Sequence, residues 1–166
     1  DYVPGIELAT REPNVVMTRT FSKIYALGGM RIGWAYGSAE IADVLNRIRA
    51  PFNVSSAAQL CGVAAVEDVA AVDRAREHNG TWRPWLTREL EGLGLTLTPS
   101  VANFVLARLP KGAPQADAAW DYLRQHGVLV RKVGVYHLPD YLRITIGKEH
   151  EMRAVVDALK EFLRQA

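Results

Sequence analysis

The order of apolar and polar residues along the chain predicts short strands followed by amphipathic helices. Two apolar runs, residues 15–17 and 32–36, are predicted to be strands, and the polar stretch between them contains a glycine pair. Apolar side chains then recur at helical spacing over residues 41–48, with Ser38 as the expected N-cap and Pro51 as the stop. The first part of the chain is therefore expected to alternate strands with a helix.

A more apolar helix and a long polar one are expected next. Ser56 and Gln59 have the spacing of a capping box, in front of a run that is apolar on nearly every side. That run predicts a helix buried deep in a larger body. Residues 68–93 predict either one long polar helix or two shorter ones, with a break or kink at Asn79-Gly80 or at Pro84.

From residue 95 onward the segments are short, alternate in type and predict a small α+β lobe. The predicted strands are residues 95–97, 104–108, 128–131 and 141–146, and a helix is predicted at 114–125. A last helix follows, and its apolar residues form one stripe that we interpret as core packing rather than a binding site. The stripe consists of Met152, Val155, Val156, Leu159, Phe162 and Leu163.

Composition narrows the class of protein. Of 166 residues, 49% are hydrophobic and 23% charged, and the formal net charge is +2 with the basic residues spread along the chain. These values suit an ordinary globular protein and argue against nucleic-acid or polybasic membrane binding. No apolar run of about 18 residues and no signal peptide is found, so we expect a cytoplasmic protein. The start at Asp1, without methionine, predicts a piece of a longer chain.

Cysteine and histidine do not predict a metal site. The one cysteine, Cys61, excludes a disulfide framework and a cysteine-based metal cluster, and its apolar neighbours predict a buried, unreactive thiol. The histidines lack the three- or four-residue spacing of helical zinc ligands, so no metal is expected. They are His78, His126, His137 and His150.

Hydroxyl and cationic residues gather directly after the first predicted strand. Thr20, Ser22 and Lys23 lie within four residues, and Arg31 follows eight residues after the lysine. Hydroxyls, backbone N–H groups and a guanidinium suit a phosphate group, and a lysine held near a second cation can act as a nucleophile. On spacing alone, however, a polar turn with a solvated lysine is the simpler interpretation.

A longer motif favours a phosphate site with a reactive lysine over a polar turn. It reads Thr20-Phe21-Ser22-Lys23, followed by Leu27-Gly28-Gly29-Met30-Arg31-Ile32-Gly33. It resembles the Schiff-base segment of fold-type I pyridoxal-phosphate-dependent aminotransferases, most closely those that act on histidinol phosphate. In that family a hydroxyl lies three residues before the lysine, a serine directly before it and an arginine eight residues after it. The resemblance continues through residues 49–55, 102–105 and 141–147 and covers essentially the whole chain.

The resemblance implies a fold and a domain organisation. The expected fold is α/β, of the fold-type I pyridoxal-phosphate transferases. Residues 1–67 would end the large cofactor-binding domain, residues 68–94 would form a connecting helical segment, and residues 95–166 would form a small α+β domain. The residues that contact the cofactor ring would lie upstream, so the isolated 166-residue chain is expected to bind the cofactor weakly and to transaminate slowly or not at all.

The resemblance also implies roles for individual residues. Lys23 would be the Schiff-base lysine and the proton carrier, while Thr20, Ser22 and Arg31 would hold the cofactor phosphate. Arg143 would bind the carboxylate of an amino donor such as glutamate, or the phosphate of histidinol phosphate. The alternation in residues 142–146 independently places the Arg143 side chain opposite the apolar ones.

Arg131 is a second candidate for substrate binding, since the family often has an arginine ahead of a Tyr-Gly-Leu-Pro turn. Here that turn reads Tyr136-His137-Leu138-Pro139, with histidine in place of glycine, and substrate identity is correspondingly open. The leading hypothesis is a homodimeric enzyme that transaminates histidinol phosphate with 2-oxoglutarate. The alternatives are an aromatic or aspartate-type aminotransferase, a phosphothreonine decarboxylase of the same fold, or the ligand-sensing domain of a transcriptional regulator.

Overall fold

The computed structural model describes residues 4–110 and 116–165 and divides into two compact units. Unit 1 is Asp1–Ala75 and unit 2 is Arg76–Ala166. The elements that begin in unit 1 are α1 (Ile6–Arg11), β1 (Met17–Thr20), β2 (Gly33–Tyr36), α2 (Ala39–Ile48), α3 (Ser56–Glu67) and α4 (Val69–Gly92), of which α4 continues into unit 2. Those that follow are β3 (Thr96–Thr98), β4 (Phe104–Arg108), α5 (Ala116–Gln125), β5 (Arg131–Lys132), β6 (Tyr141–Thr145) and α6 (Glu149–Arg164). The predicted assignment of domains to residues 1–67, 68–94 and 95–166 stays a prediction.

Unit 1 contains an antiparallel hairpin of β1 and β2. The two strands pair from Met17 opposite Tyr36 to Thr20 opposite Gly33. Gly33 has to be glycine, because a Cβ atom there would lie 2.6 Å from the carbonyl oxygen of Arg19. The close pairing brings together the two ends of the loop between the strands.

The first strand differs from the prediction at residues 15–17. β1 begins at Met17 and continues through Thr20, because pairing with β2 sets its limits. β2 itself agrees with the predicted strand 32–36 in all but its first residue. Ile32 lies outside the ladder, and its carbonyl accepts a hydrogen bond from the Phe21 N–H at 3.2 Å.

The predicted N-cap residue is correct for α2 and wrong for α3. The hydroxyl of Ser38 caps α2 and accepts a backbone N–H three residues on, at 3.4 Å. Ser55, rather than the predicted Ser56, caps α3 in the same way at 3.1 Å. Gln59 donates to a carbonyl that precedes the helix, so the predicted capping box is not formed.

Helix α3 exposes much of its apolar surface within unit 1. Only Ala58 and Gly62 are buried, and Leu60 is 73% exposed, so the predicted burial on all sides is not found here. Cys61 is half-buried rather than buried. A Cβ atom on Gly62 would lie 3.2 Å from the Ile32 side chain, so this turn of α3 packs on the residue that ends the loop.

Unit 2 is an antiparallel sheet with its core on one face. The strand order is β3-β4-β6-β5, and buried residues of α4, α5 and α6 pack with the sheet into one cluster. The stripe predicted for the last helix is confirmed as core: five of its residues are buried and Leu163 is partly buried. The largest fully buried side chains in this core are Leu86, Leu90, Val105, Leu123, Leu142, Ile144, Met152 and Leu159.

Strand β5 is much shorter than the predicted 128–131 because the residues before it are tied to α5. The Val128 N–H donates to the Leu123 carbonyl at 2.9 Å, and the Val130 carbonyl accepts the indole N–H of Trp120 at 2.9 Å. These bonds hold the segment against the helix end, so only Arg131–Lys132 pairs with β6.

The limits of β3 and β6 also differ from the predictions, and α4 forms as one long helix, which was the first of the two predicted alternatives. β3 starts at Thr96 because the Leu95 N–H closes the end of α4 by donating to the Leu90 carbonyl at 3.1 Å. α4 is a single helix that contains Pro84, so Asn79-Gly80 does not break it. β6 ends at Thr145, one residue before the predicted end. Of the predicted helix 114–125, residues 114–115 lie outside the described part of the chain, and α5 begins at Ala116.

Candidate functional site

The polar loop between β1 and β2 is closed by its own backbone. Besides the bond from Phe21 to Ile32, the Leu27 N–H donates to the Phe21 carbonyl at 3.0 Å, and the Ala26 N–H donates to the Lys23 carbonyl at 2.9 Å. The Phe21 ring is buried and lies 4.9 Å from the Tyr25 ring. The Phe21 side chain thus anchors the loop, while Lys23 and Arg31 remain at the surface.

Gly28 brings Ser22 and Arg31 close together. A guanidinium nitrogen of Arg31, Nη1, donates to the Gly28 carbonyl at 2.7 Å. A Cβ atom on Gly28 would lie 3.4 Å from the Ser22 carbonyl oxygen. Arg31 itself has a left-handed backbone, with φ of 52°, which non-glycine residues adopt at some cost. The loop thus places a guanidinium and a serine on the two sides of one glycine.

Thr20 and Arg31 keep hydrogen-bond donors free after their contacts within the loop. The Thr20 hydroxyl oxygen accepts the Ser22 N–H at 3.0 Å, which leaves its own hydrogen available. Arg31 uses one N–H on Gly28 and has others to offer. Both residues are exposed. A hydroxyl and a planar guanidinium in one loop match the oxygens of a phosphate group.

Lys23 lies next to these donors and is exposed. Within the described part of the chain its ammonium group takes part in no hydrogen bond and no ion pair. The lysine is therefore held by its backbone, through its carbonyl, while its amine is uncommitted. An uncommitted amine beside a phosphate-binding loop can react with an aldehyde group.

Arg143 in unit 2 has a buried nitrogen without a partner. The burial pattern along β6 confirms the predicted alternation: Leu142 and Ile144 are buried on the core face, and Arg143 is half-buried on the other. The guanidinium carbon lies 4.8 Å from the centroid of the Phe104 ring, while Nε is buried and finds no hydrogen-bond partner among the described residues. Leaving an N–H of a cationic guanidinium unpaired is costly, so this geometry favours an anionic ligand.

Arg131 lies directly across from Arg143 in the β5–β6 pair. Its Nη2 donates to the Tyr136 hydroxyl oxygen at 3.1 Å, and its guanidinium carbon is 5.9 Å from the Tyr136 ring centroid. Like charges directly opposite each other on a sheet destabilise it, and an anion between them removes that repulsion. The pair is therefore a second candidate anion site, made from residues that are 12 positions apart in sequence.

The turn that carries Tyr136 contains the histidine that replaces the expected glycine. A short 3-10 turn spans Gly134–Tyr136, and His137 follows with φ of 61°. Its N–H closes the turn by donating to the Gly134 carbonyl at 2.9 Å. Glycine adopts this backbone without strain, so the histidine is accommodated at some cost.

The structure gathers the predicted site residues into two groups. Thr20, Ser22, Lys23 and Arg31 share one loop of unit 1, and Arg131 and Arg143 form a cross-strand pair in unit 2. Sequence reasoning missed Phe104 and Tyr136 as the aromatic partners of the two arginines. Strand register brings Phe104 to Arg143, whereas the short turn after β5 brings Tyr136 back to Arg131. The signal in the sequence was that each aromatic residue lies in a motif already noted.

Two kinds of feature are not found in the described residues. In residues 4–110 and 116–165, no three side chains of His, Cys, Asp or Glu come together as metal ligands would. None of the helices in the same ranges combines the length and the apolar character needed to cross a membrane.

Comparison with known proteins gives one family and a consistent set of relatives. The model of the family "Aminotransferase class I and II" matches residues 1–159. A histidinol-phosphate aminotransferase of Paramagnetospirillum magneticum is 53% identical over 98% of this chain and 45% of its own length. One of Rhodopseudomonas palustris is 51% identical over 99% of this chain and 46% of its own length. The chain thus spans about half the length of the curated relatives that it matches.

Solved structures agree with these relatives. The crystal structure of histidinol-phosphate aminotransferase from Sinorhizobium meliloti, in complex with pyridoxal-5'-phosphate, is 33% identical to this chain and superposes with a TM-score of 0.91. The superposition covers 99% of this chain and 45% of that one. A histidinol-phosphate aminotransferase from Clostridium acetobutylicum, 20% identical, shares the fold with a TM-score of 0.89 over 100% of this chain and 50% of that one.

Proposed function

Because the chain belongs to the class I and II aminotransferases, we propose that it is the part of a pyridoxal-phosphate-dependent enzyme that carries the reactive lysine and the substrate arginine. The proposed reaction moves an amino group from histidinol phosphate to 2-oxoglutarate or back, in histidine biosynthesis. Relatives that are 49–53% identical bear the name histidinol-phosphate aminotransferase, which supports this substrate.

The loop of unit 1 fits the cofactor. The observation that carries the proposal is the position of Lys23, with an uncommitted amine, beside Ser22 and two residues that retain free donors for a phosphate. Thr20, Ser22 and Arg31 would hold the phosphate group of pyridoxal phosphate, and Lys23 would attach to its aldehyde. The cofactor, when bound, supplies an electron sink for the carbanion at the substrate α-carbon.

The chain's own residues bind the substrate and move a proton. The Lys23 amine, released when the substrate amine takes its place, would carry the proton from the substrate α-carbon as a general base. Arg143 would bind the carboxylate or phosphate of the substrate with its guanidinium, supported by Arg131 across the strand pair. Phe104 lies against the Arg143 guanidinium and would help to keep its plane fixed.

Chemical labelling tests the role of Lys23. The protein in its full encoded length would be incubated with pyridoxal phosphate, reduced with borohydride, digested and mapped by mass spectrometry. We expect the reduced cofactor on Lys23, and none on that peptide in a Lys23→Arg control. A label confined to other lysines, on protein shown to be folded, would contradict the proposal.

A substrate screen tests the reaction. We expect transamination between histidinol phosphate and 2-oxoglutarate, with lower kcat/KM for aromatic amino acids and aspartate. A higher kcat/KM for one of those amino acids would reassign the protein to a related aminotransferase. Release of carbon dioxide from phosphothreonine would instead indicate a decarboxylase. Cofactor labelling without turnover of any donor would favour a ligand-sensing domain.

The proposal includes a homodimer in the cytoplasm, as the resemblance to this family implies. Size-exclusion chromatography with light scattering tests the assembly. A mass twice that of the polypeptide is expected, and a monomer at micromolar concentration would contradict it.

A further inference from the structure

Two neighbouring residues of α4 contact the ends of the two strands that carry Phe104 and Arg143. His78 contacts the residues after β6, and Asn79 contacts the residues before β4. From the sequence, Asn79 is only part of a possible helix break, and His78 is one of four histidines without the spacing of metal ligands. The structure gives both residues contacts far along the chain, 69 and 23 positions away.

His78 holds the end of β6. Its Nε2 lies 2.8 Å from the carbonyl oxygen of Gly147, two residues beyond the last residue of the strand, Thr145. A carbonyl can only accept, so Nε2 carries the hydrogen and donates it. Because Gly147 is four residues beyond Arg143, this bond fixes the strand end on which the arginine depends.

Asn79 holds the start of β4. Its Nδ2 donates to the carbonyl of Ala102 at 3.3 Å. Ser100 tightens the same segment, since its hydroxyl accepts the Ala102 N–H at 3.1 Å and donates to the Phe104 carbonyl at 2.6 Å. The next residue, Asn103, accepts the N–H of Ile146 through its carbonyl at 2.8 Å, which ties this segment to the end of β6.

The side-chain oxygen of Asn79 indicates that this residue does more than stabilise the fold. Its Oδ1 is buried and has no hydrogen-bond partner within residues 4–110 and 116–165. Leaving such an acceptor unpaired costs at least as much free energy as a single hydrogen bond contributes, so it offsets the gain from the bond to Ala102. Alanine at this position would avoid that cost, so the residue is a poor choice for stability alone.

We propose that His78 and Asn79 form a clamp that positions Arg143 for the substrate anion. The two bonds fix β4 and β6 relative to each other at the end where Phe104 pairs with Thr145. That pairing holds the Phe104 ring against the Arg143 guanidinium, two residues along the strand. Both are positioning residues: they act through the strands and do not contact the substrate. This inference rests on the proposed role of Arg143 in substrate binding.

Kinetics of single variants in the full-length holoenzyme test the clamp. We expect His78→Ala and Asn79→Ala each to raise the KM for histidinol phosphate about fivefold or more, with kcat within about twofold, because the arginine is misplaced rather than lost. His78→Gln, which keeps a donor, should restore most of the affinity. Asn79→Ala should leave the melting temperature unchanged or raise it. His150→Ala, at an exposed histidine of α6, is the matched control and should change nothing.

A second measurement needs no substrate and no activity. The exchange of the Arg143 Nε–H with water can be followed by ¹⁵N NMR, with the resonance assigned by its loss in Arg143→Lys. The clamp predicts at least about fivefold faster exchange in His78→Ala and in Asn79→Ala than in the wild type or in His150→Ala. Unchanged exchange in folded variants would overturn the clamp.

The two proposals fail in different ways. A wild-type holoenzyme without turnover of histidinol phosphate contradicts the proposed function, and the exchange measurement then still decides the clamp. An active wild type whose Asn79→Ala variant has a lower melting temperature and an unchanged KM overturns the clamp and leaves the function standing.

Discussion

Arg143 shows how far a single residue can be interpreted from sequence. The alternation of residues 142–146 placed its side chain opposite the core, and the burial pattern along β6 confirms this. The Phe104 ring against its guanidinium and the unpaired Nε follow from the pairing of β4 with β6, which no local pattern encodes. Arg131 likewise reaches Arg143 only through strand register.

Replacement of Arg143 by lysine tests whether its planar guanidinium is required. We expect Arg143→Lys to lower kcat/KM for histidinol phosphate at least about 30-fold, equivalent to about 2 kcal/mol, since a point charge cannot reproduce the two-pronged contact. Arg108→Lys is the matched control, because Arg108 shares this face of the sheet and forms an exposed ion pair with Asp140, at 3.6 Å. Steady-state kinetics decide the matter, and equal losses in both variants would show a general effect of replacing an arginine on this face of the sheet instead.

The individual helices and strands show which signals in a sequence are local. β4 at residues 104–108 and the stripe of α6 are predicted correctly, because a period of two or of 3.6 residues is contained within the element. The limits of β1 and β5 are wrong, since pairing with β2 sets the first, and bonds to α5 shorten the second. The cap of α3 lies one residue earlier than predicted because adjacent serines offer the same hydroxyl.

Helix α4 provides a stability prediction at this scale. Gly80 lies inside the helix, and a Cβ atom there would meet nothing within 4 Å. Gly80→Ala should therefore raise the free energy of unfolding by about 0.5–1 kcal/mol, through the helix propensity of alanine. Gly127→Ala should instead lower the free energy of unfolding. The space around Gly127 is also open, but its φ of 76° disfavours a residue with a side chain. Urea denaturation measures both, and a loss of stability in Gly80→Ala would mean that the helix does not tolerate a side chain there.

At the scale of the whole chain, the matched relatives confirm the predicted fold class. The resemblance implied an α/β fold of the pyridoxal-phosphate transferases, and the Sinorhizobium meliloti enzyme superposes over 99% of the chain. The motifs around Lys23 and Arg143 could indicate that fold because they resemble segments of the family at several places along the chain. The motifs could not predict which apolar residues are buried. Helix α3, for example, is apolar on most sides but largely exposed in unit 1.

This uneven core predicts unequal stability of the two units in the isolated 166-residue chain. The buried apolar residues of the described part of unit 1 are Ala9, Met17, Phe21 and Ala58, whereas the continuous core cluster belongs to unit 2. A two-stranded sheet with so little burial is marginally stable in water. Amides of β1 and β2 should therefore exchange with solvent faster than those of β4 and β6, by at least about tenfold in hydrogen-exchange mass spectrometry.

Two leucine substitutions test the difference in burial between the units through the free energy of unfolding. Leu159→Ala removes a side chain that is fully buried in unit 2 and should cost about 2–5 kcal/mol of unfolding free energy. Leu60→Ala, at a leucine that is 73% exposed in α3, should change that free energy by less than about 0.5 kcal/mol. In a longer polypeptide, a large loss from Leu60→Ala would mean that another part of the protein covers α3. In the isolated chain the same loss would contradict the exposure of this helix, because the described residues of unit 1 leave Leu60 73% exposed.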